Sequence, residues 1–355
     1  MVLSVLEWLY GSAVGWRNRR YDAGKAHVVR VAAPVLSVGN CSAGGTGKSP
    51  FVRWLAQECA ALGVRPALVS RGYGRTSKGA VLVSNGTEIL AHAATAGDEA
   101  LMNAEALLTV RINAPVLVDE QKSRAAHQAV QEFGVGVVIV DDGFQHRRLH
   151  RDCDIVLIDR HTLEQPFLLP KGRLREPLAS LKRAHVICCM NGVRSEELPP
   201  VLAPNTLVVE AELRAETPRM LFSTTVLQHF DFAQTSTTAQ TRPILALSGI
   251  ANPERFHHVL GQAGFSVAHK AVFPDHYRYG ERDVRTILDI AQKLDVQVCG
   301  TTEKDAVKLY QYRKLFEQAN VGLFVLPVRV VLTRYYEQFQ ALLRTVLARQ
   351  AKHQA

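Results

Sequence analysis

The sequence predicts an α/β fold, laid down twice along the chain. Three observations predict it. Strand-like and helix-like stretches alternate, and the strands are apolar throughout rather than in alternation, as buried parallel strands are. A glycine-rich turn joins the first of these strands to a helix. A polar, turn-rich stretch from about 191 to 241 then separates two such alternating runs. The 355 residues suit two domains of ordinary size, and an apolar content of 47% suffices for a core in each.

The elements follow in order. Residues 1–16, "MVLSVLEWLYGSAVGW", are apolar and are followed by Arg17, Arg19 and Arg20. A signal peptide carries its positive charges ahead of its apolar run, the reverse of this order. The run is also shorter than the ~20 residues a spanning helix needs. Two readings stand at this point: a helix docked on the domain, or an interfacial helix with Trp8, Tyr10 and Trp16 at headgroup level and the arginines beside anionic lipid. "APVLSVGN" (33–40) reads as a buried strand and 49–63 as a helix closed by Gly63. A strand running into a loop is expected over 65–75, further strands at 114–120, 135–143, 153–159 and 184–190, and helices at 98–108 and 122–134. The second run has strands at 243–250, 296–306 and 321–332, helices at 253–264 and 281–295, and a closing helix from residue 334 onward.

The net charge of +9 favours anionic partners: nucleic acid, acidic lipid or phosphorylated substrates. The six cysteines form no C-x-x-C pair and several sit in apolar runs, so neither a disulfide framework nor a zinc site is expected, which fits a reducing compartment. No repeat of fixed period and no low-complexity segment is present.

The turn after the first strand reads "SAGGTGKS", residues 42–49. A phosphate-binding loop asks for G-x-x-x-x-G-K-[ST], and here Ser42 replaces the first glycine. The chemistry survives that change. Through Ser42, Ala43, Gly44, Gly45, Thr46 and Gly47 the backbone N–H groups can converge on phosphate oxygens. Lys48 reaches the β- and γ-phosphates and the Ser49 hydroxyl binds Mg²⁺. A glycine-rich turn without a ligand is the competing reading. A nucleotide site also needs an acidic residue at a neighbouring strand end, and Asp141 and Asp142 follow four apolar residues. Adjacent carboxylates there are costly unless a cation shares them. No guanine-reading N-K-x-D is present, since in "TTEKDA" Lys304 directly precedes Asp305. The signature lysine before paired glycines is absent too, because Ala43 precedes Gly44. Both points favour a kinase using ATP and Mg²⁺.

In order, "SVGNCSAGGTGKSP", "SRGYGR", "GDEA", "DDGFQHRRLHRDCDIVLID", "LPKGRLREP", "LSGIANPERF", "FPDHY" and "TTEKDAVKL" resemble the tetraacyldisaccharide 4'-kinase family of lipid A biosynthesis, from the N-terminus to at least residue 310. Its loop also lacks the first glycine. The resemblance implies two α/β/α sandwich lobes, the phosphate loop in the first, joined by a short β-stranded hinge. It implies transfer of the ATP γ-phosphate to the 4'-hydroxyl of a tetraacylated glucosamine disaccharide 1-phosphate. It favours the interfacial reading of the N-terminal helix, at the cytoplasmic face of the inner membrane of Gram-negative bacteria, against anionic phospholipid. Residues 1–20 are then the membrane-interface helix, 21–205 the kinase lobe, 206–242 the hinge and 243–355 the second lobe, whose last helix can pack back on the first. Neither nucleic acid nor an obligate protein partner is expected.

By the same resemblance Asp98 is the catalytic carboxylate and His276 its partner; on sequence alone Asp98 reads instead as a helix N-cap, and His276 as a core or loop histidine. Asp141 and Asp142 hold Mg²⁺ with Ser49. Tyr73, Arg75, Gln145, His146, Arg173 and Arg175 are expected on the substrate, guanidinium groups suiting its phosphates, with Glu176 positioning Arg175 or the nucleotide. "HRRLHR" (146–151) touches headgroups or is a solvated basic face. The alternatives are another P-loop small-molecule kinase or an ATP-dependent ligase and, less well supported, a nucleic-acid-associated ATPase switch, which lacks a recognition motif here.

Overall fold

The structure, a computed structural model, describes residues 2–222 and 243–348. The chain divides into two units, residues 1–213 with 330–355, and residues 214–329. The first holds α1 (Val2–Asp22), β1 (Val35–Asn40), α2 (Lys48–Ala61), β2 (Pro66–Ser70), β3 (Val81–Ser84), α3 (Ala93–Ala96), α4 (Asp98–Thr109), β4 (Val116–Val118), α5 (Lys122–Phe133), β5 (Val137–Asp141), β6 (Cys153–Ile158), α6 (Arg160–Glu164), β7 (Val186–Met190) and β8 (Leu207–Ala215). The second holds β9 (Arg219–Phe222), β10 (Pro243–Ser248), α7 (Pro253–Gln262), β11 (Ser266–Val272), α8 (Glu281–Lys293), β12 (Val298–Thr301), α9 (Glu303–Leu309), α10 (Arg313–Gln318) and β13 (Gly322–Val325). The chain then returns to the first unit through β14 (Val328–Arg334) and α11 (Tyr336–Ala348).

The large sheet has the order β14-β8-β7-β6-β1-β5-β2-β4-β3. The pairs from β8 to β4 are parallel and β3 is antiparallel to β4. The chain leaves β1 toward β2 on one side and crosses from β5 to β6 on the other. A crevice therefore opens at the carboxyl ends of β1, β5 and β6, where ligands sit in such sheets. One face packs Val35, Val69, Val138 and Val140 against Ala125, Ala126 and Ala129 of α5. Farther along that face, over β6 and β7, lies a second cluster of Cys41, Phe144, Val156, Ile187 and Leu181. Helix α11 docks on α2, where Phe339 meets Trp54, centroids 5.2 Å apart, and lies edge-on to Phe51 at 6.5 Å. Burying side chains of this size contributes roughly 1.5–3 kcal/mol each.

The small sheet has the order β11-β10-β12-β13-β9, parallel except for β9. Leu245, Leu247, Val284, Ile287 and Leu323 build one core, and Ile244, Ala246, Phe256, Leu260 and Phe324 the other. The α/β expectation is met, and all six cysteines are free and buried.

Three stretches differ from the sequence reading. Residues 303–306, read as the end of a strand, begin α9, because the Thr302 side chain caps the N–H of Asp305. The strand expected over 321–332 is two, β13 and β14, interrupted at Leu326-Pro327, where proline has no N–H for a ladder. Of the stretch 206–242, residues 207–215 form β8 of the large sheet and 219–222 form β9, while 223–242 lie outside the described residues.

Candidate active site

The site begins where β1 ends. The loop after Asn40 turns through Gly44 (φ 121°) and Gly47 (φ 93°), conformations that favour glycine, and enters α2 at Lys48. No side chain caps that helix start, which leaves the first-turn N–H groups facing the loop. Asn40 donates from Nδ2 to Thr46 Oγ1 at 3.0 Å, and the Ser42 and Thr162 hydroxyls are hydrogen-bonded at 3.0 Å. Residues 173–175 strap the loop from outside. Ala43 N–H donates to the Arg173 carbonyl (2.7 Å), Arg175 N–H to the Cys41 carbonyl (2.7 Å), and Arg173 Nε to the Ala43 carbonyl (3.0 Å).

The neighbouring strand supplies the acids, since Val38 of β1 sits in register with Asp141 of β5. Gly39 lets the 143–144 turn close on β1; a Cβ there would lie 2.6 Å from that of Phe144. Asp142 is left-handed (φ 53°) and its carboxylate receives Arg175 through two bonds of 2.7 and 2.6 Å, with Lys48 Nζ 3.5 Å away. Burial alone would raise its pKa, but Arg175 and Lys48 hold the group well below the usual carboxylate range. Arg175 also donates to Asn40 Oδ1. Asp141 is the opposite case: burial, helped by the Glu99 charge, pushes it up to about 7, and its Oδ1 is buried without a hydrogen-bond partner. An open carboxylate oxygen beside Lys48, under a glycine loop, suits a divalent cation held between protein and phosphates.

Beneath the acids lies Lys122, the first residue of α5. Its ammonium is buried and donates to the backbone carbonyls of Asp141 (2.7 Å) and Asp142 (2.6 Å). Burial lowers its pKa to about 8 against the pull of the two carboxylates. Gln145 donates from Nε2 to the Asn40 carbonyl at 2.9 Å. His146 has a buried Nε2 without a partner, and burial plus Lys122 and nearby arginines push its pKa down to about 4.

Asp98 opens α4, and Gly97 takes the cap position, so Asp98 is not the N-cap. Gly97 and Gly72 permit close approach of the 71–74 loop: a Cβ on Gly97 would meet the Tyr73 carbonyl at 2.7 Å, and one on Gly72 the Ala96 carbonyl at 2.8 Å. Tyr73 is exposed on that loop. The influence of Glu99 on Asp141 brings the start of α4 into the same neighbourhood. His276 belongs to the other unit, on the turn after β11, with a left-handed backbone (φ 59°).

Two residues stand differently from the sequence reading. Arg75 is buried and paired with Glu120 at 2.6 Å, reaching the Val118 carbonyl at 3.5 Å, so its charge braces the end of β4. Glu176 does not engage Arg175. It is wholly buried and binds Arg17 (3.0 Å), Asn18 (3.1 Å) and Arg183 (2.7 Å). Helix α1 touches the same segment through Tyr10 Oη, which donates to the Arg175 carbonyl at 3.0 Å. Glu7 accepts from Leu168 N–H (2.9 Å) and lies 3.5 Å from Lys171. Away from these contacts α1 exposes Val2, Leu3, Val5, Leu6, Trp8, Leu9 and Trp16. Among the described residues no helix is long and apolar enough to cross a membrane.

Sequence reasoning missed Lys122, Asn40, Glu99 and the partners of Glu176. A usable signal existed for two of them: Asn40 ends β1 and Lys122 begins a helix at the same sheet edge, where polar residues converge in a parallel sheet.

A family model described as tetraacyldisaccharide-1-P 4'-kinase matches residues 1–348. The tetraacyldisaccharide 4'-kinase of Chlorobaculum parvum is 35% identical over 344 residues, 96% of this chain and 92% of that one. That of Chlorobium phaeovibrioides is 33% identical over 362 residues, 98% of each. The crystal structure of the "apo" form of LpxK from Aquifex aeolicus in complex with ATP superposes with a TM-score of 0.74, at 29% identity, covering 98% of this chain and all of that one.

Proposed function

The chain belongs to the tetraacyldisaccharide-1-P 4'-kinase family, and from that premise we propose how its residues divide the reaction. The enzyme passes the terminal phosphoryl group of ATP to the 4'-hydroxyl of tetraacyldisaccharide 1-phosphate, the lipid A precursor. An O–P bond forms at the 4'-oxygen, the bond from the γ-phosphorus to the bridging oxygen breaks, and that electron pair leaves with ADP. Asp98 takes the hydroxyl proton, with His276 as its partner. The loop from Ser42 to Gly47 and the N-terminus of α2 hold the phosphates, Lys48 reaches the transferring group, and Arg173 and Arg175 add positive charge where it develops. Tyr73, Gln145 and His146 serve the acceptor side.

The observation that carries this reading is Asp141 Oδ1, buried and unpartnered next to Lys48. Asp141 and Ser49 would hold Mg²⁺, with Asp142 beside them, held by Arg175 and Lys48 until phosphate competes for those cations. When bound there, the ion would supply positive charge that offsets the phosphate charge during transfer. The exposed apolar residues of α1, with Arg19 and Arg20 in its last turn, support seating in the cytoplasmic leaflet of the inner membrane against anionic lipid.

The test is phosphotransfer to tetraacyldisaccharide 1-phosphate in mixed micelles with Mg-ATP. Asp98→Asn should lower kcat about 10²–10⁴-fold, the usual worth of a general base. Lys48→Ala should lower kcat/KM for ATP. Wild-type turnover of ATP without lipid product would overturn the acceptor; full activity in Asp98→Asn would overturn its role.

A further inference from the structure

The turn that carries His276 is gripped along its length by one face of α9. Lys304 Nζ donates to Asp275 Oδ1 at 2.9 Å and lies 3.1 Å from His276 Nε2. Four residues on, Lys308 Nζ donates to the Tyr277 carbonyl at 3.2 Å. Between them the wholly buried Asp305 accepts from Gly249 N–H (2.9 Å), Tyr279 Oη (3.0 Å) and Thr302 Oγ1 (2.7 Å), and pairs with Lys308 at 2.8 Å. Tyr312 Oη closes the far side by donating to the Tyr279 carbonyl at 2.6 Å. The left-handed backbone of His276 (φ 59°) is one a side-chain-bearing residue keeps only when its surroundings impose it.

The ring's bonding follows from donor chemistry. An ammonium donates and cannot accept, so Nε2 must be the acceptor and the ring proton must sit on Nδ1. Asp275 is not the ring's partner, since its Oδ2 lies 4.0 Å from Nε2, beyond hydrogen-bond range. We propose that Lys304 is a positioning residue for phosphoryl transfer: by donating to His276 Nε2 it fixes the Nδ1–H tautomer and the ring orientation in which His276 serves Asp98. The motif "TTEKDAVKL" thereby gains a role in the reaction without touching substrate. This inference rests on the reading of His276 as the partner of Asp98.

The experiment compares wild type, Lys304→Met, Lys304→Arg, His276→Ala and the Lys304→Met/His276→Ala double variant, full-length, with lipid substrate and Mg-ATP. Long-range ¹⁵N–¹H spectra of histidine-labelled protein give the tautomer, with the His276 signals assigned by their loss in His276→Ala. Lys304→Met should lower kcat about 10–100-fold, the usual effect of removing a group that orients a reacting side chain. Both KM values should stay within about twofold, Lys304→Arg should recover part of the loss, and the double variant should be no worse than His276→Ala. The spectra should show Nδ1–H in wild type and a mixture in Lys304→Met. Should Lys304→Met misfold, Lys304→Gln takes its place. If His276→Ala loses activity while Lys304→Met keeps both kcat and the tautomer, the role of Lys304 falls and that of His276 stands. If His276→Ala keeps kcat, the reading of His276 falls and takes the catalytic role of Lys304 with it, while the tautomer still reports whether the contact exists.

Discussion

Replacing Lys122 by methionine tests whether the acidic turn depends on a buried ammonium. The side chain makes two charge-assisted bonds, 2.7 and 2.6 Å, to the carbonyls of Asp141 and Asp142. Bonds of this kind contribute about 1.5–3 kcal/mol each, so roughly 3–6 kcal/mol of interaction is lost. Removing a buried charge returns several kcal/mol of desolvation, and methionine fills much of the same volume. A net loss of about 1–3 kcal/mol results, and at about 2–4 °C per kcal/mol for a unit of this size the melting midpoint falls by about 2–12 °C. The functional effect is positional. One of these bonds ends on the carbonyl of Asp142, whose backbone is left-handed (φ 53°), so a turn relaxed by its loss should move the Asp142 carboxylate away from Lys48 and Arg175. About 1.4 kcal/mol of lost positioning is tenfold in rate, so kcat/KM for Mg-ATP should fall tenfold or more. Thermal melts by circular dichroism and coupled ADP release measure the two effects. An unchanged midpoint with unchanged kcat/KM would show that the turn holds itself, and the reasoning would be wrong.

The remaining predictions are simpler. Gly44→Ala places a side chain at φ 121° and forces Arg173 off the loop, so kcat/KM for ATP should fall about 10–100-fold with the native circular dichroism spectrum retained. Thr302→Val removes the cap of α9 and should cost about 1–2 kcal/mol in urea unfolding, whereas Thr302→Ser keeps most of it. His146, held near pKa 4 against an ordinary 6.5, binds a proton in the unfolded chain before it does so in the fold. Its contribution is therefore complete above pH 6.5 and lost as pH falls toward 4, so in unfolding measurements across that window His146→Gln should lose stability less steeply than wild type.

What was legible from sequence depended on range. The glycine loop, Lys48, Ser49 and the acids at 141 and 142 could be read because each is a local pattern fixed to a strand end. Both-sided apolar runs marked β5 and β6 as buried for the same reason. The strand at 296–306 extends too far because Thr301 and Thr302 read as continuing β-formers until the Thr302 cap on the Asp305 N–H is seen. Pro327 broke the run after 321 between two sheets, and an apolar run does not say which sheet each half joins. Partners of charged groups were the least legible. Arg75 found Glu120, 45 residues on, and Glu176 found Arg17 and Asn18 nearly 160 residues back, pairings set by tertiary packing alone.

The contacts of α1 change how a shortened enzyme should be judged. Trimming the first 22 residues is an obvious way to obtain a protein that handles without detergent. Such a chain would keep Glu176 in the interior with Arg183 as its remaining side-chain partner, and the Arg175 carbonyl would lose Tyr10. Arg175 is also the clamp on Asp142. Inactivity after trimming would therefore have two sources, loss of the proposed lipid contact and a slackened phosphate loop, and ATP affinity measured without any lipid separates them. If α1 seats on the bilayer as proposed, it is as much a splint for the phosphate loop as a foot on the membrane.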